Sequence, residues 1–145
     1  MGEITSRAMK RYNHLLDEIN AAYHDVSQKL NVSDSEMMIL YAVHDAGDRR
    51  ALNEIVRITG VPKQTIHSAV KRLEGRGAVQ LEKTDGKHKE ICLTYEGKQL
   101  AAQTAERVME MENAIFAAWA PEDVETYLTL TERFLNELKK KSGEI

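Results

Sequence analysis

Gly60-Val61-Pro62-Lys63-Gln64-Thr65-Ile66-His67-Ser68-Ala69-Val70-Lys71-Arg72-Leu73 is the stretch whose reading decides the fold. At about 100° per residue, Ile66, Ala69, Val70 and Leu73 share one side of a helix. Gln64, Ser68 and Lys71 take the opposite side, with Thr65, His67 and Arg72 on the flanks. Pro62 suits the first turn, where a missing N–H is no loss. The outward face carries amide, hydroxyl, imidazole and cationic groups and no carboxylate. Those groups hydrogen-bond base edges and phosphate oxygens. A solvated polar face has the same composition, so the flanking sequence decides between the two.

Upstream, a short helix is expected from about Leu52 to Thr59, burying Leu52, Ile55 and Val56. Ala51 is a poor cap for it, and Asn53 would serve if the helix started late. Gly60 tolerates the left-handed backbone of a tight turn, and Ile66 then drops against the preceding helix. That spacing is a helix-turn-helix. Downstream, Gly75-Arg76-Gly77 ends the helix and the apolar period falls from 3.6 to 2. Val79 and Leu81 alternate with polar neighbours, as do Ile91 and Leu93, around Thr84-Asp85-Gly86-Lys87-His88-Lys89. An Asp-Gly pair between alternating runs marks a β-hairpin. A helix-turn-helix followed directly by a hairpin with a basic tip is a winged helix. The candidate recognition helix covers about 62–75 and the wing about 83–90.

The flanks are helical. From Glu3 to Leu30 apolar residues recur at steps of three and four without Gly or Pro, a helix roughly 40 Å long. Ser33-Asp34-Ser35-Glu36 forms a capping box, opening a helix that stops at Ala46-Gly47-Asp48. Thr94 can cap a long helix from about Tyr95 to Trp119, and Ala120-Pro121-Glu122-Asp123 starts the last one. The expected fold class is mainly α with a small β-hairpin wing. Residues 1–32 and 96–145 are read as dimerisation helices around a winged helix-turn-helix at 33–95, together one intertwined unit. The small central domain cannot cover both apolar flanks, so a second copy should.

Net charge is −3 over 145 residues, which alone would argue against nucleic acid. From Arg49 to Glu90, however, ten Lys/Arg face five Asp/Glu, while the remainder has ten against eighteen. A basic segment within an acidic chain fits a protein that meets phosphate through that segment. No apolar run approaches the length of a membrane span, and no secretory signal is visible. The single cysteine, Cys92, allows neither an internal disulfide nor a thiolate zinc cage. A cytoplasmic protein is expected.

These residues resemble the MarR family of bacterial transcription regulators. The carriers are Leu52-Asn53-Glu54-Ile55-Val56 with Gly60, Val61-Pro62-Lys63-Gln64-Thr65-Ile66, Leu73-Glu74-Gly75-Arg76-Gly77, and Asp85-Gly86-Lys87 with Leu93-Thr94-Tyr95-Glu96-Gly97. The resemblance implies a homodimeric regulator, a repressor, on a palindromic operator. It places recognition helices in the major grooves and wings at the flanking minor grooves. Two positions depart from the usual pattern: Lys87 stands where an arginine often sits at the wing tip, and Pro62 replaces a frequent serine. The partner is then double-stranded DNA, met by Lys63, Gln64, Thr65, His67, Ser68, Lys71 and Arg72 on the helix and by Lys87, His88 and Lys89 on the wing. Family members often bind small ligands between the dimer helices and the winged domain. Here Tyr12, Met37, Met38, Tyr41 and His44 are the candidates for such an effector site, although core packing explains the same apolar residues more simply.

Other chemistries find less support. No Gly-x-Ser-x-Gly, phosphate loop or His-Glu-x-x-His stretch is present, so no catalytic residue and no enzyme activity are expected. The five histidines form no i, i+4 pair, and neither a metal site nor a cofactor is expected. Cys92, on the second wing strand, reads as an inert strand residue. The competing function is a winged-helix protein–protein adaptor without specific DNA binding.

Overall fold

The computed structural model describes residues 4–145. Its backbone divides into two compact units, one ending at Val108 and one from Met109 to Ile145. The first opens with α1 (Arg7–Lys29), capped by Ser6, whose hydroxyl accepts from the Met9 N–H at 3.0 Å. The expected start at Glu3 lies outside the described residues. Asn31, at φ 60°, turns the chain out of α1. The capping box then forms as read from the sequence: Glu36 N–H donates to Ser33 Oγ at 3.1 Å, and Ser33 N–H donates to Glu36 Oε1 at 3.0 Å. It starts α2 (Asp34–Asp45).

A short strand, β1 (Arg49–Ala51), follows where the sequence had suggested only a connection. Three residues are too few to show alternation, and the strand exists because it pairs with a partner some forty positions on. After α3 (Leu52–Thr59) and α4 (Lys63–Gly75) come the wing strands β2 (Val79–Lys83) and β3 (Lys89–Leu93). The antiparallel sheet has the order β1-β3-β2, with Arg49 opposite Cys92 and Leu81 opposite Ile91. Ala51 gives α3 no side-chain cap, as expected, and Asn53 does not take the role, because the helix already begins at Leu52. Pairing of β1 fixes the entry instead. Gly60 ends α3 at φ 66°, a conformation that strains residues with a Cβ.

The core lies where α2, α3, α4 and the sheet meet. Ile39, Leu40, Val43, Ile55, Ile66, Leu73 and Ile91 are each fully buried. The helix expected over Tyr95–Trp119 is two helices, α5 (Tyr95–Gln103) and α6 (Ala105–Ala117). Thr104 separates them: its φ and ψ are −125° and −83°, and its buried hydroxyl donates to the Leu100 carbonyl at 2.7 Å. A threonine that bonds back to the i−4 carbonyl bends a helix. Four residues from both Leu100 and Val108, it also fits the apolar stripe of one continuous helix.

The second unit contains the end of α6 and α7 (Pro121–Ser142), which starts with proline at its first turn. Phe116, Trp119 and Tyr127 stack edge-on, with ring centroids 5.3 to 6.1 Å apart. No residue of α7 is buried. Among the described residues, no helix is long and apolar enough to cross a membrane.

Candidate nucleic-acid interface

Helix α4 divides as its periodicity dictates. Ile66, Ala69, Val70 and Leu73 are at most 3% exposed, while Lys63, Gln64, Thr65, Lys71 and Arg72 face solvent and Ser68 is half-buried. Pro62 is the N-cap; its carbonyl accepts from Thr65 N–H at 2.9 Å, and no side chain caps the helix. The first turn holds no acid. An N-terminus with its positive dipole end exposed and no carboxylate nearby favours an anion.

Two residues of this helix sit differently from expectation. His67 is half-buried, with Nε2 enclosed and without a partner. It lines a narrow cleft of about 160 Å³ with Leu52, Val70, Lys71, Glu74, Leu81 and Lys89. That nitrogen faces protein, so it is not the atom through which His67 would meet a base edge. Arg72 donates to Ser33 Oγ at 3.4 Å and to Ser35 Oγ at 3.2 Å, tying α4 to the start of α2. One turn on, Arg76 lies 3.4 Å from Glu36 Oε2. Burial pushes the Glu36 carboxyl up, but the Ser33 hydrogen bonds and the Arg76 and Arg72 charges outweigh it and leave the group below its ordinary value.

The wing tip is a closed turn. Thr84 N–H donates to the His88 carbonyl at 3.1 Å, His88 N–H donates to the Asp85 carbonyl at 2.9 Å, and Gly86 takes φ 56°. Lys87, His88 and Lys89 are exposed. The His88 ring nitrogen lies 3.4 Å from Asn53 Nδ2, which links the tip to α3. Lys71 of α4 and Lys89 of the wing border the same cleft, so helix and wing present cations side by side.

Sequence reasoning passed over Arg57. It is exposed on α3, makes no ion pair among the described residues, and lines an open groove of about 500 Å³ between α3 and the wing, with Asn53 and His88. Its place inside the basic segment was the available signal; treating α3 only as a support helix hid it. Arg49 was missed as well. It pairs with Glu82 and, at 3.4 Å, with Glu90, beside a buried Cys92 whose thiol is pushed up by burial. Such a thiol stays protonated and unreactive.

The effector candidates do not gather as one wall. On α2, Met37 is buried at 8% exposure while Met38 is 42% exposed, so the two point to different sides. Tyr12 is exposed on α1 and Tyr41 is half-buried. His44 is held by two carboxylates, with Nδ1 2.7 Å from Asp48 Oδ1 and Nε2 3.2 Å from Glu106 Oε2. The hydrogen bond to Asp48 raises its pKa, burial opposes, and Glu106 adds to the rise. Among the described residues, no group of three His, Cys, Asp or Glu could hold a metal ion.

Fold and basic face together define a winged helix-turn-helix protein. Residues 30–90 match the model of the MarR family. Over 132 residues the chain is 26% identical to the HTH-type transcriptional regulator YwoH of Bacillus subtilis (strain 168), covering 86% of this chain and 96% of that one. Its fold is similar to that of NMB1585, a MarR family regulator from Neisseria meningitidis, with TM-score 0.82, 18% identity, and 96% and 99% of the two chains covered. It is also similar to MepR of S. aureus in a DNA complex, with TM-score 0.71, 17% identity, and 89% and 96% covered. The central segment thus matches a family of transcriptional regulators, and the fold of the chain is similar to that of solved members of that family.

Proposed function

We propose that this chain is a cytoplasmic repressor that binds a palindromic operator as a homodimer and is released by a small-molecule effector. The reading is carried by the acid-free, uncapped start of α4, with Lys71 further along the helix bordering the same cleft as Lys89 of the wing. Gln64, Thr65 and Ser68 are its base-reading candidates, Lys63 and Lys71 its phosphate contacts, and Lys87 and Lys89 its wing contacts. The DNA complex of MepR, a protein of similar fold, supports the same reading. Homodimerisation is supported by α1, where Leu15, Leu16, Ile19 and Tyr23 are 39 to 47% exposed. In the second unit, Leu128, Phe134, Leu135 and Leu138 are 41 to 54% exposed. Apolar stripes of this size are ordinarily covered. Residues 1–32 and 96–145 are therefore assigned to dimerisation and 33–95 to DNA.

Fluorescence anisotropy with random and selected duplexes across a salt series tests this. Binding constants should fall linearly with salt on logarithmic axes, and Lys87→Ala should reduce that slope by about one unit while weakening all duplexes alike. An absence of salt-dependent duplex binding would instead favour a protein–protein adaptor.

A further inference from the structure

A second cationic groove lies in the first unit, formed by the ends of helices. Lys29 closes α1, Asn31 follows it in a left-handed turn, Arg76 caps α4, Gln103 ends α5 and Arg107 lies in the first turn of α6. Together they line a cavity of about 500 Å³ whose lining contains no carboxylate, with Leu100 as an apolar contribution. That volume lies in the range of small-molecule sites, roughly 300–1,000 Å³.

The charges of the groove are unevenly explained. Lys29 pairs with Asp25 at 2.9 Å, and Arg76 approaches Glu36 at 3.4 Å. Both cations also sit at helix C-termini, each the equivalent of about half a negative charge. Arg107 has neither reason. It makes no ion pair among the described residues, and the first turn of a helix is where the dipole disfavours a cation. The carboxylates that meet Lys29 and Arg76 lie outside the groove's lining, so the charge of Arg107 is the one left for an anion to meet. The side chains of Asn31 and Gln103 add amide donors.

We propose that this groove binds a small polyanion, a molecule carrying two or more carboxylate or phosphate groups. Arg107 and Arg76 would hold its anionic oxygens, and the amides of Asn31 and Gln103 would complete the donors. The proposal deepens the effector part of the regulator reading and rests on it. The ligand would bridge the last turn of α4 and the first of α6, away from the base-reading residues at the other end of α4.

Citrate and pyrophosphate serve as probes, in thermal unfolding and titration calorimetry against sodium chloride matched in ionic strength. The wild-type chain should show saturable binding and a rise in Tm that chloride does not give. Arg107→Gln, a surface change, should lose at least tenfold in affinity, while Lys87→Ala on the wing should keep it. A wild-type response no larger than that of chloride, or an unchanged response in Arg107→Gln, overturns the proposal. Duplex anisotropy on the same variants separates the sources of phosphate. Loss of duplex affinity in Arg107→Gln, with no response of the wild type to either probe, would make the groove a seat for the DNA backbone and overturn it. Saturable citrate binding by a chain that binds no duplex would support the site while removing the regulator reading.

Discussion

At Gly97 a methyl group has nowhere to go. A Cβ built there would lie 1.8 Å from the Ala78 carbonyl oxygen, so α5 and the start of the wing meet backbone to backbone. Because the obstacle is main chain, relief requires the helix to move. Gly97→Ala should cost at least as much as the usual overpacking penalty of about 1–3 kcal/mol, read as a lower urea midpoint. His44 acts by charge instead. A neutral imidazole donates from one nitrogen only, whereas the protonated ring donates to both Asp48 and Glu106. Its raised pKa means that the folded state binds the proton more tightly than the unfolded chain. The stabilisation is therefore full below the ordinary value of 6.5 and disappears as pH rises through the raised folded value. Urea unfolding across that window should show stability falling with pH, and His44→Gln should flatten the fall. Glu36 has the opposite sign: its lowered pKa contributes stability above the ordinary value of 4.5 that is lost as pH drops through the folded one.

On the proposed reading, helix α4 separates base reading from positioning along its length. Gln64 is exposed at its N-terminal end and can pair bidentately with adenine. Gln64→Ala should cost about 1–3 kcal/mol on the operator and flatten preference at one base pair per half-site. Arg72 is anchored to Ser33 and Ser35, so Arg72→Ala should weaken operator and random DNA together and also lower stability slightly. Site selection on both variants checks the division; a changed preference for Arg72→Ala with none for Gln64→Ala would reverse it. The faces of α4, the capping box at Ser33 and the Asp85-Gly86 turn were legible because the physics of each is local. Strand β1 was not, since its only reason to exist is a ladder with β3. The break at Thr104 was hidden because threonine fits an apolar stripe as well as it bends a helix. His67 sits on the flank of α4, and only the wing beside it decides which way its ring turns.

In the single chain, the apolar faces of α1 and α7 cover too little of themselves. Phe134 is 41% exposed and Leu138 54%. Light scattering should find a dimer at micromolar concentration. Phe134→Asp, which would place an unpaired charge in that contact at a cost of several kcal/mol, should shift it toward monomer or unfold it. A stable, well-folded wild-type monomer at the same concentration would remove the dimer from the reading. A dimer would also account for the long apolar periodicities of helices with so few buried residues.

Arg49 reaches across all three strands of the sheet, from β1 to Glu82 on β2 and Glu90 on β3. Those two carboxylates stand directly opposite each other in the β2–β3 ladder, a like-charge pairing that would ordinarily work against the hairpin. With the guanidinium between them, the repulsion becomes a register lock: sliding either strand by one residue would move a carboxylate away from its counter-ion and turn its side chains to the wrong face. The outer rims of such a sheet must stay bare if the wing is to reach DNA, and bare rims invite stray strands. A three-residue edge carrying two arginines, and another ending in Glu82-Lys83, offer an incoming chain little to template on. The charges that align this wing thus also make its rims poor templates for aggregation.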